Sequence, residues 1–204
     1  MKTWLPVAFG IAFAFVTGAA QADDASVAAD LLKSLCANCH GKDGRTDNPT
    51  FPQLAGQQEE YMEAQIKAFR KRTRGDPHAQ AYMWGAASSP ALTEGVIEAI
   101  SGYYSKQKPA PSTPSEDKAL AEKGKALYLY GAADKQIPKC AGCHGPKAEG
   151  DDVIPRLAGQ HKEYLKKQIE AFQVTSRENP LMHQNAEHLT AEDIDAVITY
   201  LGSQ

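Results

Sequence analysis

The chain repeats itself, and a repeat limits the folds open to it more than any single motif does. Cys36-Ala-Asn-Cys39-His40-Gly41 returns as Cys140-Ala-Gly-Cys143-His144-Gly145. Phe51-Pro-Gln-Leu-Ala-Gly-Gln57 returns as Ile154-Pro-Arg-Leu-Ala-Gly-Gln160. Tyr61-x-x-x-Gln65-Ile66-x-Ala68-Phe69 matches Tyr164-x-x-x-Gln168-Ile169-x-Ala171-Phe172, and Leu92-Thr93 matches Leu189-Thr190. Four blocks in one order make a duplicated unit of roughly 90 residues.

The units fall at 23–106 and 115–204, with 107–114 between them. That connector, Gln107-Lys-Pro-Ala-Pro-Ser-Thr-Pro114, carries three prolines in eight residues, which blocks helix and favours a stiff extended link. Inside each unit the apolar spacing is helical. Tyr61, Met62, Gln65, Ile66 and Phe69 share one face, as do Val96, Ile97, Ile100, Tyr103 and Tyr104 after Thr93, a helix N-cap. Ile194, Val197, Ile198 and Leu201 repeat that pattern after Thr190. Val27, Leu31, Leu32 and Leu35 mark a helix entering the first cysteine motif, and Leu120, Leu127 and Tyr128 mark its counterpart. No segment alternates like a strand, so the fold class is all-α in two tandem units. Each unit has too few apolar side chains to close a generous core alone, so something else fills its middle.

Residues 1–22 have the parts of a secretory leader: Lys2, an apolar run from Trp4 to Val16, and Ala20-Gln21-Ala22 as a small-x-small cleavage site. The run is short for a membrane span, which needs ~20 residues. The expectation is an exported protein in the periplasm. A net charge of -3 gives no electrostatic reason for nucleic-acid binding.

All four cysteines lie in Cys-x-x-Cys-His. In an exported chain, cysteines suggest disulfides, a redox dithiol or zinc. None of these explains a histidine directly after the second cysteine in both copies. Covalent haem does: Cys36 and Cys39, and again Cys140 and Cys143, can each anchor one porphyrin, and His40 and His144 can present an imidazole to its iron. Two covalently bound haem c groups would also supply the missing core.

The sixth iron position sets what such a group does, and a thioether there raises the potential and closes the site. Met62 aligns with Leu165 and is read as a packing residue. Met83, 43 residues beyond His40, and Met182, 38 beyond His144, each occupy a loop between the middle and last helices. They are the candidate ligands, with His183 and His78 as alternatives. His161 and His188 read as surface residues. Pro52 and Pro155 are either plain turn prolines or the residues whose carbonyls orient the proximal histidines. Arg156, Tyr61 and Tyr164 are candidate propionate donors or structural groups. The run Arg70-Lys71-Arg72-Thr73-Arg74 reads as a solvated helix end, with docking to an acidic partner as the alternative.

These residues together resemble the dihaem cytochrome c4 family: two Cys-x-x-Cys-His units, the repeated Pro-x-Leu-Ala-Gly-Gln-x-x-x-Tyr block and one later methionine per unit. The resemblance spans essentially all of the chain after the leader. It implies two class I cytochrome c domains about a pseudo-twofold axis with haem propionate edges facing. It implies His40 with Met83, and His144 with Met182, as iron ligands. It also implies a periplasmic electron carrier between redox proteins, with a quinol-cytochrome c reductase as the kind of donor and a haem-copper terminal oxidase as the kind of acceptor; some members associate peripherally with the membrane. The cytochrome subunit of a multi-component dehydrogenase, such as a sulfide-oxidising flavocytochrome, has the same architecture and is the alternative. Residues 131–139 depart from the repeat as an insertion before the second motif.

Overall fold

The computed structural model describes the backbone of residues 18–204 and the side chains from Asp23 onward. The leader's apolar run therefore lies outside the described residues. Among the described residues, no helix is long and apolar enough to cross a membrane.

Helix α1 (Gly18–Leu31) runs through a π-helical turn, Leu32–Cys36, into α2 (Ala37–His40). After α3 (Glu59–Arg70), a second π-turn at Ala79–Met83 leads into α4 (Trp84–Ala87) and then α5 (Glu94–Ser105). The second half contains α6 (Lys118–Tyr130), a 3-10 turn at Ala133–Lys135, α7 (Ala141–His144), α8 (Lys162–Gln173), α9 (Pro180–Ala186) and α10 (Ala191–Leu201). Among the described residues, extended pairing is confined to isolated bridges. The all-α expectation is met.

The caps read from sequence are formed. Thr93 accepts a hydrogen bond from the Val96 amide, and Thr190 closes a reciprocal capping box with Asp193. In each half the last helix packs on the first long helix and on the middle one: α5 on α1 and α3, α10 on α6 and α8. The α6–α10 crossing is close because Gly124 has no side chain; a Cβ there would overlap the Ala196 carbonyl. Each half has its own main core, and a smaller cluster of Phe69, Ala79 and Ala87 adds to the first half. Met62, Val96, Ile97, Ile100 and Tyr104 centre the first, and Leu165, Ile194, Val197 and Leu201 the second. Met62 and Leu165 are each 5% exposed at equivalent positions, so Met62 is a packing residue as its repeat partner indicated.

Met83 and Met182 do not lie in loops. Met83 ends the second π-turn and Met182 sits within α9. Both segments open with an Asx–Pro pair whose carboxyl or amide oxygen caps the turn: Asp76 Oδ1 accepts from the Ala79 amide at 3.3 Å, Asn179 Oδ1 from the Met182 amide at 2.9 Å. The 131–139 insertion folds into a small closed loop, bridged between Ala132 and Ile137 and tied to α10 by Lys135 on Asp193 at 2.9 Å.

The halves meet across a near-twofold seam built from the same residues on both sides. The Gln53 amide donates to Gln160 Oε1 at 2.8 Å, and Gln160 Nε2 returns a bond to the Gln53 carbonyl at 3.0 Å. The Arg156 amide donates to Gln57 Oε1 at 2.7 Å, and Gln57 Nε2 to the Arg156 carbonyl at 3.0 Å. Residues 108–115, free of regular structure, lead from one half to the other, with Pro109 lying against Gly56. His161 belongs to the seam rather than to open surface: its Nε2 lies 2.8 Å from the Thr46 carbonyl of the first half. His188 is exposed, as expected.

Candidate functional site

Each Cys-x-x-Cys-His motif forms a short helical turn that ends at a glycine. Gly41 has φ 77, ψ 160 and Gly145 has φ 80, ψ 156, a region open essentially to glycine alone. The turn brings the two cysteines and the following histidine to one side. His40 and His144 are each 7% exposed. Their Nδ1 atoms lie 3.0 Å from the carbonyls of Pro52 and Pro155, so Nδ1–H donates and Nε2 is left as the imine nitrogen. Burial pushes both imidazoles below their ordinary pKa, which keeps them neutral and able to ligate. The two prolines therefore sit where the orienting role requires.

The four cysteines are unpaired. Burial pushes the Cys36 and Cys140 thiols up to about 11, opposite to the activated thiolate of a redox dithiol. Among the described residues no group of three or more His, Cys, Asp or Glu could hold a metal ion. Disulfide, dithiol and zinc readings all lose their support.

One continuous cavity of about 650 Å³ runs through both halves. Protein interiors seldom leave voids larger than a water, so a space of this size is built for an occupant. Cys36, Cys39, His40 and Met83 line it in the first half, and Cys140, Cys143, His144 and Met182 in the second. Sequence grouped these eight residues in two fours, and all eight line this one cavity. His78 also lines the cavity, whereas His183 is turned away, with Nδ1 2.9 Å from the Phe172 carbonyl.

Three observations fit haem. The walls are apolar, from Leu54, Ile66 and Phe69 in the first half to Leu157, Ile169 and Phe172 in the second. Among the described residues, four buried side-chain polar atoms lack a hydrogen-bond partner: His78 Nδ1, Ser101 Oγ, Tyr104 Oη and Arg156 Nε. All four belong to cavity-lining residues, as expected where a missing group supplies the partner. Among the described residues the lining also carries Arg74, Lys139, Arg156 and Arg177 against the single carboxylate of Asp76, a balance suited to an acidic occupant.

Arg74 and Arg177 were not legible as site residues. The sequence placed Arg74 in a solvated run, but it is 7% exposed and Arg177 8%. They pair by an antiparallel backbone bridge across the seam. Arg74 donates to Gln65 at 2.8 Å, Gln168 at 2.8 Å and Tyr164 at 3.1 Å; Arg177 donates to Gln168 at 2.6 Å, Gln65 at 3.1 Å and Tyr61 at 2.9 Å. The signal was that the second copy keeps one basic residue of the run, Arg177, at the matching place. Burial alone would raise the Tyr61 phenol, but the Arg177 and Arg74 charges bring it below its ordinary value. Each phenol oxygen accepts a hydrogen bond from an arginine of the other half.

Comparison with known proteins agrees with this geometry. The family model for cytochrome c matches twice, at residues 26–108 and 121–204. Cytochrome c-552 of Acidithiobacillus ferridurans is 40% identical over 173 residues, 84% of this chain and 74% of the relative. Cytochrome c4 of Stutzerimonas stutzeri is 34% identical over 195 residues, 91% of this chain and 92% of the relative. A Thiomonas intermedia protein named thiosulfate dehydrogenase electron acceptor is 34% identical over 212 residues, all of this chain and 94% of the relative. The solved cytochrome c4 of Acidithiobacillus ferrooxidans superposes with a TM-score of 0.77 at 40% identity, covering 83% of this chain and 98% of that one. Two tandem cytochrome c domains, matched in sequence and fold, leave one conclusion: the chain belongs to the cytochrome c family, as a dihaem electron carrier of the cytochrome c4 type with two covalently bound haem c groups.

Proposed function

We propose that this carrier works in the periplasm and passes electrons from a quinol-cytochrome c reductase or similar donor to a haem-copper terminal oxidase or similar acceptor. The observation that carries the reading is the cavity, where two equivalent sets of thiols, imidazole and thioether face one continuous apolar space. Each haem, when bound, supplies a one-electron Fe(III)/Fe(II) couple. The chain's residues do the rest. Cys36 and Cys39, with Cys140 and Cys143, anchor the porphyrins by thioether bonds. His40 and His144 offer Nε2, held in one tautomer by Pro52 and Pro155. Met83 and Met182, which line the same cavity, would supply thioether sulfur to the irons, and that soft sulfur would favour the reduced state. Arg156, Tyr61 and Tyr164 line the cavity and would donate to the acidic edge of the cofactor. We place the domains at 23–106 and 115–204, joined by 107–114.

The ligand set is tested by Met83→Ala and Met182→Ala in the holoprotein. Each should remove about half of the sulfur-to-iron charge-transfer absorbance and open one site to carbon monoxide; spectra unchanged in both variants would overturn the assignment. His78 lines the cavity near Met83 and competes for that ligand position, so Met83→Ala combined with His78→Ala separates the two.

The Thiomonas relative's name favours a second reading of the partner, in which the electrons come from a thiosulfate dehydrogenase. Stopped-flow reduction of the oxidised protein by such an enzyme, set beside reduction by a quinol-cytochrome c reductase, tells the donors apart. Reoxidation by membranes containing a haem-copper oxidase tests the acceptor.

A further inference from the structure

The near-twofold seam is broken at one charged position. Two residues beyond each buried arginine stands an Asx residue followed by proline: Asp76-Pro77 after Arg74, Asn179-Pro180 after Arg177. Both side chains do the same local work, capping the segment that carries Met83 or Met182. They differ in charge and burial. Asp76 is 2% exposed, and its Oδ2 accepts from Arg74 Nε at 2.9 Å. Asn179 is exposed and neutral. Burial would raise the Asp76 carboxyl, but Arg74 and then Arg177 hold it below the usual carboxylate range, so it is ionised at neutral pH.

The arginines do not themselves distinguish the halves. Each reaches Gln65 of the first and Gln168 of the second, so both positive charges are shared at the seam. Asp76 is held on the first half's methionine segment and is the lone carboxylate among the described residues lining the cavity. A buried charge is weakly screened by water and salt, so its field reaches a nearby centre with more force than a surface charge would. Oxidation adds one positive charge to a haem, and a fixed negative charge stabilises that state. Across the seam, Arg156 stands where the first half has Gln53, so the repeated block carries a positive charge in one half and a neutral amide in the other.

We propose that Asp76 is a potential-setting residue: its buried carboxylate holds the first-half haem at a lower reduction potential than its twin, so the electron of the half-reduced protein resides in the second half. The proposal rests on the reading of two separately ligated centres. Under it, an electron delivered by a donor protein to the first centre passes to the second, leaving the first oxidised and the second reduced.

The test is spectroelectrochemical titration of the holoprotein. The wild type should show two one-electron waves; a single wave of one electron per chain would instead defeat the two-centre reading. Asp76→Asn keeps the capping oxygen and removes the charge, and it should move the lower wave towards the upper while the upper stays in place. Asn179→Asp should move the upper wave down by less, because that position is exposed. A lower wave unmoved in Asp76→Asn, or a shift in the upper wave instead, overturns the proposal. Should Asp76→Asn fail to assemble with both haems, Asn179→Asp decides alone: a lowered upper wave supports the idea and an unmoved one ends it. Asp76→Ala loses cap and charge together. A purely structural role would weaken the methionine charge-transfer band there yet leave the Asp76→Asn potentials at their wild-type values.

Discussion

Met83 follows Asp76 by seven positions, whereas Met182 follows Asn179 by three. The extra four residues of the first half are taken up in the π-turn Ala79–Met83, after which the helix resumes and buries Ala87 to 1%, as α9 buries Ala186 to 1%. A π-turn absorbs inserted residues without ending a helix. The first half thus carries an extra turn upstream of its methionine, while both halves have the cap before it and the packing alanine after it. The extra residues change the wall. His78 and Tyr82 stack at 6.1 Å, Tyr82 meets Phe51 edge-on at 5.2 Å, and Phe51 meets His40 at 6.0 Å. The second half has Leu181 and Ile154 instead of Tyr82 and Phe51. The carbonyl contacts of His40 and His144 are shared, whereas the methionine segments and their surroundings differ.

The strongest way to break this comparison is to empty one half at a time. Cys36→Ala/Cys39→Ala and Cys140→Ala/Cys143→Ala should each lose about half of the bound haem, read by pyridine haemochrome assay, and lose helical circular dichroism in one half only. Loss of both haems from either variant would show that the halves do not fold independently. Next in size is the arginine pair. Arg74→Ala strands the buried Asp76 charge and should cost ~3–5 kcal/mol in urea unfolding. Arg177→Ala strands only neutral hydrogen-bond partners and should cost ~1–3 kcal/mol. Equal costs would mean that Asp76 is indifferent to its partner.

A smaller contrast lies at the turn glycines. Substituting alanine strains either backbone by ~1–3 kcal/mol. At Gly41 the new methyl meets the Arg45 backbone, which cannot yield, while at Gly145 it meets the Glu149 side chain, which can swing away. Thermal unfolding should therefore penalise Gly41→Ala more. The smallest effect is confined to acid. Asp76 has a folded pKa below its unfolded value, so its contribution is full above roughly pH 4 and is lost as pH falls through the folded value. Asp76→Asn should flatten the acid limb of the stability profile, and Asn179→Ala should leave it unchanged.

Much of this was legible in the sequence because it is carried by local rules applied twice. The Cys-x-x-Cys-His spacing, the threonine caps and the equivalence of Met62 with Leu165 each need only a helix and a repeat. What was not legible depends on contacts across the seam. Arg74 looks like one member of a basic run, and its burial is set by Gln168 and Tyr164, some 90 residues away in the chain. His161 looked like open surface for the same reason, since Thr46 is its partner. The methionine segments passed for loops because a helix of one or two turns shows little periodicity; their Asx–Pro openings were the available clue.

The reciprocal glutamine bonds have a consequence for how the two halves stay together. A patch in which Gln57 and Gln160 each grip the other half's backbone is self-complementary, the form of contact found between identical subunits rather than between a domain and its neighbour. Such a patch does not need a tether to find its register. If the peptide were cut between Pro109 and Pro114, the two fragments should remain associated as a heterodimer, and the prolines would matter for raising local concentration rather than for setting orientation.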